Sequence, residues 1–575
     1  MRRRIVIAAG IAVAACRHPH PPPCTDPAQA LAGVWDRAIE VKVRAAFAAT
    51  KKAYAESATM AVTKALDGYF ADWVSETAGN CKAIEGGQIA QDAGARRQLC
   101  LDQRFEEGRA LAEMLLDPTA ALVDKADKAV WELDPVVSCA DPGALVPSRV
   151  EPRYQADYRR LLLQTATAHA QAVGGQLVAA EGALMHAADE GRRIHADDVV
   201  AVALYARSAV LFGEGRLDES YALASDAVWA ALLAHRDDLV IGSALTVASA
   251  RAEGGIADGW VGVATAAATR SGGFSPLYDE QRLELIGVIA GQRGDLKTAI
   301  ASHEQALAAA NGLWGSEGAQ VWSAEVQLAT TLARSGAWVK ALPHFEHALR
   351  LREAAVGPDH PDVALILSNL APCYAHAGQR DVAMATVKRA FEIREKSYGP
   401  NSPFLVATLD NLADFELHQG AYTAALADID RAEAIARRVP GTADPNYHIV
   451  ATTRAEVLGA AGRVADARKA FDDLLALEAQ TKSPQLGLTL AARATLELAQ
   501  KQWKDAAAFE DRAIAAYGPD DLSLWKPLAG LAQARHALDP NADVKPLLER
   551  ALAIGIKAQL APDDLDPIRA QLAGL

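Results

Sequence analysis

The chain has 575 residues, 51% of them hydrophobic and 23% charged, which is enough apolar material for more than one core. Acidic residues outnumber basic ones by 72 to 58, for a formal charge of −14. A surface of that sign repels phosphate backbones and argues against nucleic acid as a partner.

The N-terminus, MRRRIVIAAGIAVAAC, sets Arg2, Arg3 and Arg4 before an apolar run from Ile5 to Ala15. That run is shorter than the roughly 20 residues a membrane-spanning helix needs, and it reads as an export signal. Val13-Ala14-Ala15-Cys16 resembles the lipobox of bacterial lipoproteins. The resemblance implies cleavage before Cys16, a lipid on its sulfur as the sole membrane contact, and an extracytoplasmic place in the cell envelope, periplasmic or on the outer membrane. Residues 1–15 are then a signal peptide. Residues 16–30, with Arg17-His18-Pro19-His20-Pro21-Pro22-Pro23, form an extended Pro-rich tether. His18 and His20 are too few, on too loose a segment, to make a metal site.

Residues 31–146 read as a separate helical domain with no repeat. Leu31 to Asp36 opens one helix, Tyr54 to Thr77 is a second, Cys100-Leu101-Asp102 begins a third, and a fourth ends near Trp131. Asp134-Pro135 and Asp141-Pro142-Gly143 mark the boundary. With Cys16 acylated, Cys24, Cys81, Cys100 and Cys139 remain, an even number in an exported chain, which favours two disulfides. Three pairings are open. The preferred one joins Cys81 to Cys100, closing a helical hairpin, and Cys24 to Cys139, tying the ends of the domain. Cys373 stands alone on a later helix as a small core residue.

From 150 to 560 the sequence repeats. Gly294, Gly336, Gly378, Gly420 and Gly462 recur at a constant step of 42 residues. Small residues precede them at Gly287, Ala329, Ala371, Ala413 and Ala455, and follow at Ala299, Ala341, Ala383, Ala425 and Ala467. A fixed period of this size marks a stacked array of helix pairs, the glycine ending each first helix. Gly174, Gly215 and Gly254 extend the ladder upstream and Lys501 and Asp539 downstream, which makes ten pairs. Residues 561–575 then cap the end.

The unit GPDHPDVALILSNLAPCYAHAGQRDVAMATVKRAFEIREKSYG, from Gly357 to Gly399, resembles the tetratricopeptide repeat in the 42-residue form of kinesin light chains. That resemblance implies an all-α chain in which the N-terminal helical domain is followed by an α-solenoid. A second likeness lies in Leu31 to Asp36 with Phe47, and in Cys81 with Cys100-Leu101-Asp102-Gln103-Arg104. These resemble the extracytoplasmic half of bacterial receptor-type Ser/Thr kinases, here without the kinase domain.

The first helices of such pairs line a concave face. Two residues before each small residue stand Gln327, Asn369, Asn411 and Thr453. In kinesin-light-chain-like repeats the asparagine hydrogen-bonds an extended peptide. Further along come Arg334, His376 and His418, a basic stripe that would draw an acidic segment. Bridging between neighbouring helices is the competing role for all seven.

Enzyme motifs fail on inspection. His235-Arg236-Asp237 lacks the asparagine of a kinase loop, Gly213-Glu214-Gly215 precedes Asp218 where a dinucleotide loop has glycine, and His303-Glu304 is followed by Leu307 instead of a second histidine. His344 and His347, one turn apart, read as a solvated helix face and not as a metal pair. The sequence therefore predicts a non-catalytic protein-binding scaffold or sensor with no cofactor and no metal. A sensory ectodomain remnant of a kinase is the alternative, and an enzyme of unrecognised type comes third.

Overall fold

A computed structural model describes residues 26–140, 150–251, 255–438, 445–481, 483, 485–518, 521–557 and 562–575. The signal segment, Cys16, Cys24, the histidine tether and Gly254 lie outside the described residues. Among those described there are no strands, and no helix is long and apolar enough to cross a membrane.

The N-terminal unit holds α1 (Arg37–Ala49), α2 (Ala55–Glu85), α3 (Gln91–Met114), α4 (Ala120–Asp124) and α5 (Ala126–Trp131). Asp36 caps α1, its carboxylate accepting from the N–H groups of Ala38 and Ile39. Leu31 to Asp36 therefore leads into the helix instead of opening it. Cys100 lies inside α3 and not at its start. Val62, Leu66, Phe70 and Trp73 recur at helical spacing on α2, and that stripe buries against α1 and α3.

The preferred disulfide pairing is wrong. Cys100 is bonded to Cys139, with Cα atoms 5.6 Å apart. Cys81 is disulfide-bonded too, and not to Cys100. The register of the α2–α3 hairpin explains the error. Trp73 Nε1 donates to the Leu101 carbonyl at 2.9 Å and Asn80 Nδ2 to the Gly94 carbonyl at 3.0 Å. Cys81 thus sits opposite the start of α3, and Cys100 lies about 10 Å further along the axis at roughly 1.5 Å per residue. That exceeds the ~4.4–6.8 Å a disulfide spans between Cα atoms.

Ten antiparallel pairs follow: α6 (Gln155–Val173) with α7 (Leu177–Arg193), α8 (Asp197–Gly213) with α9 (Leu217–Leu233), α10 (Asp237–Ala250) with α11 (Ile256–Ser271), α12 (Pro276–Gln292) with α13 (Leu296–Trp314), and α14 (Trp322–Arg334) with α15 (Trp338–Val356). The rest are α16 (Pro361–His376) with α17 (Arg380–Tyr398), α18 (Val406–His418) with α19 (Tyr422–Ala436), α20 (Pro445–Ala460) with α21 (Val464–Thr481), α22 (Leu486–Ala499) with α23 (Trp503–Ala516), and α24 (Trp525–Leu538) with α25 (Lys545–Lys557). A last helix, α26 (Pro562–Ala573), packs on α25.

The glycine ladder holds for the reason the spacing implies. Gly294, Gly336, Gly378, Gly420 and Gly462 have φ between 75° and 81°, the left-handed turn that ends each first helix. Upstream the left-handed residue is Gly175, one place after Gly174. Lys501 adopts the same turn at φ 57°, whereas Asp539 is extended at φ −141° and breaks the ladder. Ala329, Ala371, Ala413 and Ala455 are each 0% exposed at the closest helix contacts.

The array is not open along its whole length. Helix α3 packs on α6, and α2 reaches across to α15, so the first pairs curve round the N-terminal unit and close a ring on it. At the closure Arg352 is 0% exposed and ion-paired with Asp127 of α5 and, at 2.6 Å, with Asp362. Lys128 reaches the same Asp362 at 2.8 Å, Ser57 Oγ donates to the Val356 carbonyl at 2.5 Å, and Tyr54 packs edge-on to His360. Burial pushes His360 down to about 4. Against the same cost of burial, Arg352 and Lys128 hold the Asp362 carboxyl below its ordinary range.

Removing one partner of a buried ion pair costs about 3–5 kcal/mol, because the other charge is left unpaired. Asp127→Ala is therefore expected to lower the melting temperature by several degrees, and Asp127→Ala with Arg352→Met to recover much of that loss. Equal melting of the wild type and the single variant would show that the closure carries no stability.

Candidate binding surfaces: a concave groove and a chamber

Successive first helices lie closer to one another than the second helices do, as in α18 to α20 and α20 to α22, so they form the inner side of the curve. The seven residues singled out in the sequence lie on these helices, and they divide. The Gln327 amide donates to Glu284 of the preceding first helix at 3.0 Å. Arg334 donates to the Gly291 carbonyl at 3.0 Å and so caps that same helix. His376 stacks on Trp338 with ring centroids 4.3 Å apart. Thr453 is buried, its hydroxyl donating to the Ile449 carbonyl at 3.3 Å. His418 is exposed and bonds the Asp414 carbonyl of its own helix at 2.8 Å.

Asn369 and Asn411 differ from these. Both are half-buried, and neither side-chain amide has a hydrogen-bond partner among the described residues. They stand one repeat apart, and they are the two positions that match the kinesin-light-chain asparagine.

The basic stripe is not one. Arg334 and His376 are engaged, while carboxyl groups crowd the same inner face. Burial pushes Asp410 up to about 6, with Asp414 and Glu456 adding to the effect. Burial raises Asp414 and Glu456 as well, and pushes Glu280 up to about 7 next to Glu284. The inner face is therefore more acidic than basic, with Lys526 facing Asp414 and Glu456. Sequence spacing showed which residues point inward but not which already had partners.

His344 and His347 are not on a solvated face. Both ring Nδ1 atoms reach the buried Glu325 of α14, at 2.6 and 2.7 Å, and tie the two helices of one pair together.

The second surface went unseen in the sequence. The inner faces of α6, α8, α10 and α12, with α2, α3, α5 and α15, line a partly open cavity of about 2670 Å³. In its wall Arg104 Nη1 lies 2.6 Å from both Glu107 Oε1 and Asp134 Oδ2, and His169 Nδ1 lies 3.8 Å from Glu107. Burial opposes a charge on His169, yet Glu107 and Asp134 hold the imidazolium above its ordinary range. Ligand atoms of Glu107, Asp134 and His169 lie within 4.8 Å of one another, a spacing that suits a metal. Arg104 already takes an oxygen of each carboxylate, so the set is an ion network between the N-terminal unit and the first pair. Arg104 was in view as part of the Cys100 to Arg104 motif, but Asp134 and His169 lie 30 or more residues further on, and only the fold brings them together.

The family model described as "Tetratricopeptide repeat" matches residues 319–396 and 404–480. This stretch of the chain is a tetratricopeptide-repeat array. It corresponds to α14–α17 and α18–α21, the pairs with the strictest 42-residue step. Among solved structures the chain is similar to a tetratricopeptide repeat protein from Parabacteroides merdae ATCC 43184, at 16% identity over 51% of this chain and 99% of that one, TM-score 0.35. It is also similar to a Podosopora anserina protein described as a kinesin light chain with nearly identical TPR-like repeats, at 18% identity over 41% of this chain and 95% of that one, TM-score 0.26. A third is the apo quorum sensor NprR from B. thuringiensis, at 15% identity over 55% of this chain and 88% of that one, TM-score 0.42. No curated protein matches the chain in sequence.

One carboxyl of the repeat array gives a stability test. Glu510 on α23 is 1% exposed, one of its oxygens has no partner, and burial pushes it up to about 8. An acid whose folded pKa is raised contributes stability that is fully present below its unfolded value and is lost as pH rises through the folded one. Wild-type melting is thus expected to fall between pH 5 and 8, and Glu510→Gln to flatten part of that fall and to melt higher than wild type at pH 8. Parallel melting curves across this range would show that Glu510 is charged in the folded protein.

Proposed function

We propose that the chain is a non-catalytic scaffold or sensor that takes an extended, basic segment of a partner protein into the concave face between α14 and α20. The observation that carries this reading is the pair of unpartnered amides, Asn369 and Asn411. Half-buried polar groups without partners are costly, and an extended backbone passing over both offers each a donor and an acceptor. The spacing of one repeat lets a single peptide reach both, and the raised carboxyls around Asn411 favour lysine or arginine in it.

Replacing Asn369 and Asn411 together by Ala is expected to weaken peptide binding by about 1–3 kcal/mol while leaving the melting temperature unchanged. Binding of a lysine-rich peptide should strengthen from pH 5 to 8, because Asp410 ionises over that range, at about 6. Anisotropy titrations with lysine-rich and glutamate-rich peptides measure both effects. Equal affinity of the double variant, or preference for the glutamate-rich peptide, would overturn the reading.

The proposal includes a place for the scaffold. Arg2, Arg3 and Arg4 followed by Val13-Ala14-Ala15-Cys16 support a lipid anchor on Cys16 and an extracytoplasmic position. The mature protein is expected to partition into detergent with a mass that begins at acylated Cys16, and Cys16→Ala to abolish that partition. An unacylated wild type would count against the anchor.

A further inference from the structure

The buried Arg352 has a counterpart one repeat later that lacks its partners. Arg394 stands 42 residues on, one period of the array, at the place in α17 that Arg352 holds in α15. Arg352 Nε donates at 2.9 Å to the carboxylate of Asp362, ten residues ahead. Ten residues ahead of Arg394 the aspartate is replaced by Phe404. Arg394 Nη1 donates instead to the Phe404 carbonyl at 3.2 Å and to the Thr408 hydroxyl, both neutral acceptors. Asp127 and Asp362 hold Arg352 above its ordinary range, whereas burial pulls Arg394 below it with only Tyr398 in opposition. No carboxylate among the described residues pairs with Arg394.

The surroundings of Arg394 repeat the message. Ser397 and Tyr398 follow it by three and four residues and so share its face of α17. The Ser397 hydroxyl is buried without a hydrogen-bond partner among the described residues. Buried hydroxyls are ordinarily satisfied. The Tyr398 ring lies 4.7 Å from that of Phe404, and Phe404 is 63% exposed. The carboxylates that act on Tyr398 are both taken, Asp124 by Lys52 at 3.0 Å and Asp362 by Arg352 at 2.6 Å. A half-buried guanidinium with no anion is costly, and an exposed aromatic ring stands beside it.

We propose that Arg394, with Ser397, Tyr398 and Phe404, is a docking site for an acidic segment of a partner protein, an aspartate or glutamate of which takes the place at Arg394 that Asp127 and Asp362 take at Arg352. An apolar neighbour in the same segment packs on Phe404. The precedent lies within the chain: Arg352 receives Asp127 from a separate unit, 225 residues away. The charge count selects a carboxylate, since one guanidinium balances a single negative charge and leaves a phosphate dianion half met. The site is separate from the groove, because Arg394 lies on a second helix, and Asn369 and Asn411 lie on first helices.

Anisotropy titration of the full chain with a dye-labelled peptide of aspartate, glutamate and one leucine tests the proposal, with inorganic phosphate as competitor. The peptide is expected to bind with lower affinity than the groove has for the lysine-rich peptide, and an equal concentration of phosphate not to displace it. Arg394→Gln should weaken it by about tenfold or more. Phe404→Asp restores the aspartate of the preceding repeat at an exposed position, and so should weaken the peptide as much while raising the melting temperature. The Asn369 and Asn411 double variant should bind the acidic peptide as wild type does, which separates this site from the groove. Four results would overturn it: no binding of the acidic peptide, equal binding by wild type and Arg394→Gln, displacement by an equal concentration of phosphate, or a Phe404→Asp variant that melts and binds as wild type does.

Discussion

The architecture turns on one buried guanidinium. Arg352, 0% exposed, is paired with Asp127, which lies 225 residues away in sequence, and with its own neighbour Asp362. The trio would bury a net negative charge were it not for Lys128, which reaches Asp362 from the same helix as Asp127. Arg352 and Lys128 also lie over the Trp322 ring, at 5.2 and 5.0 Å from its centroid. Two cations, two carboxylates and an aromatic face thus meet, and that balance makes burial of the group tolerable.

Closure at this point divides the concave surface. The first helices of the early pairs face the N-terminal unit and form the wall of the chamber. Those from α14 onward carry the groove, with Asn369 and Asn411 in its middle. The two surfaces differ in kind: the concave face from α14 onward carries partly desolvated carboxyls with Lys526 nearby, while the chamber is a partly open volume crossed by arginine–carboxylate pairs.

The sequence made the array legible because a helix pair that must stack has fixed needs: a left-handed residue at the turn and a small residue at each close approach. Gly336 and Ala371 are read from spacing alone, and so are ten pairs. Lys501 takes the glycine turn without being glycine, and Asp539 does not take it at all, so the ladder blurs where the consensus does. The disulfides were not legible, since the choice between Cys100–Cys139 and Cys81–Cys100 depends on hairpin register, which Trp73 and Asn80 set through backbone carbonyls. The site was half legible. Periodicity placed seven residues on the inner face, but whether Arg334 is free or caps Gly291 depends on a neighbour 43 residues away. The chamber had no signal, because Glu107, Asp134 and His169 share no period.

A repeat array ordinarily has only nearest-neighbour contacts, so its stability is a sum of local terms and its ends fray independently. The ring changes that for the first half of this chain. The contact between Ser57 and Val356 joins residues 299 positions apart, and the chain between them can open only if the closure or one of its helix interfaces gives way. Pairs one to four are therefore held at both ends, whereas those after α17 are held at one. The same constraint separates the two surfaces: the face around Asn369 and Asn411 lies where the array is free to adjust its curvature, and the chamber lies where it is not.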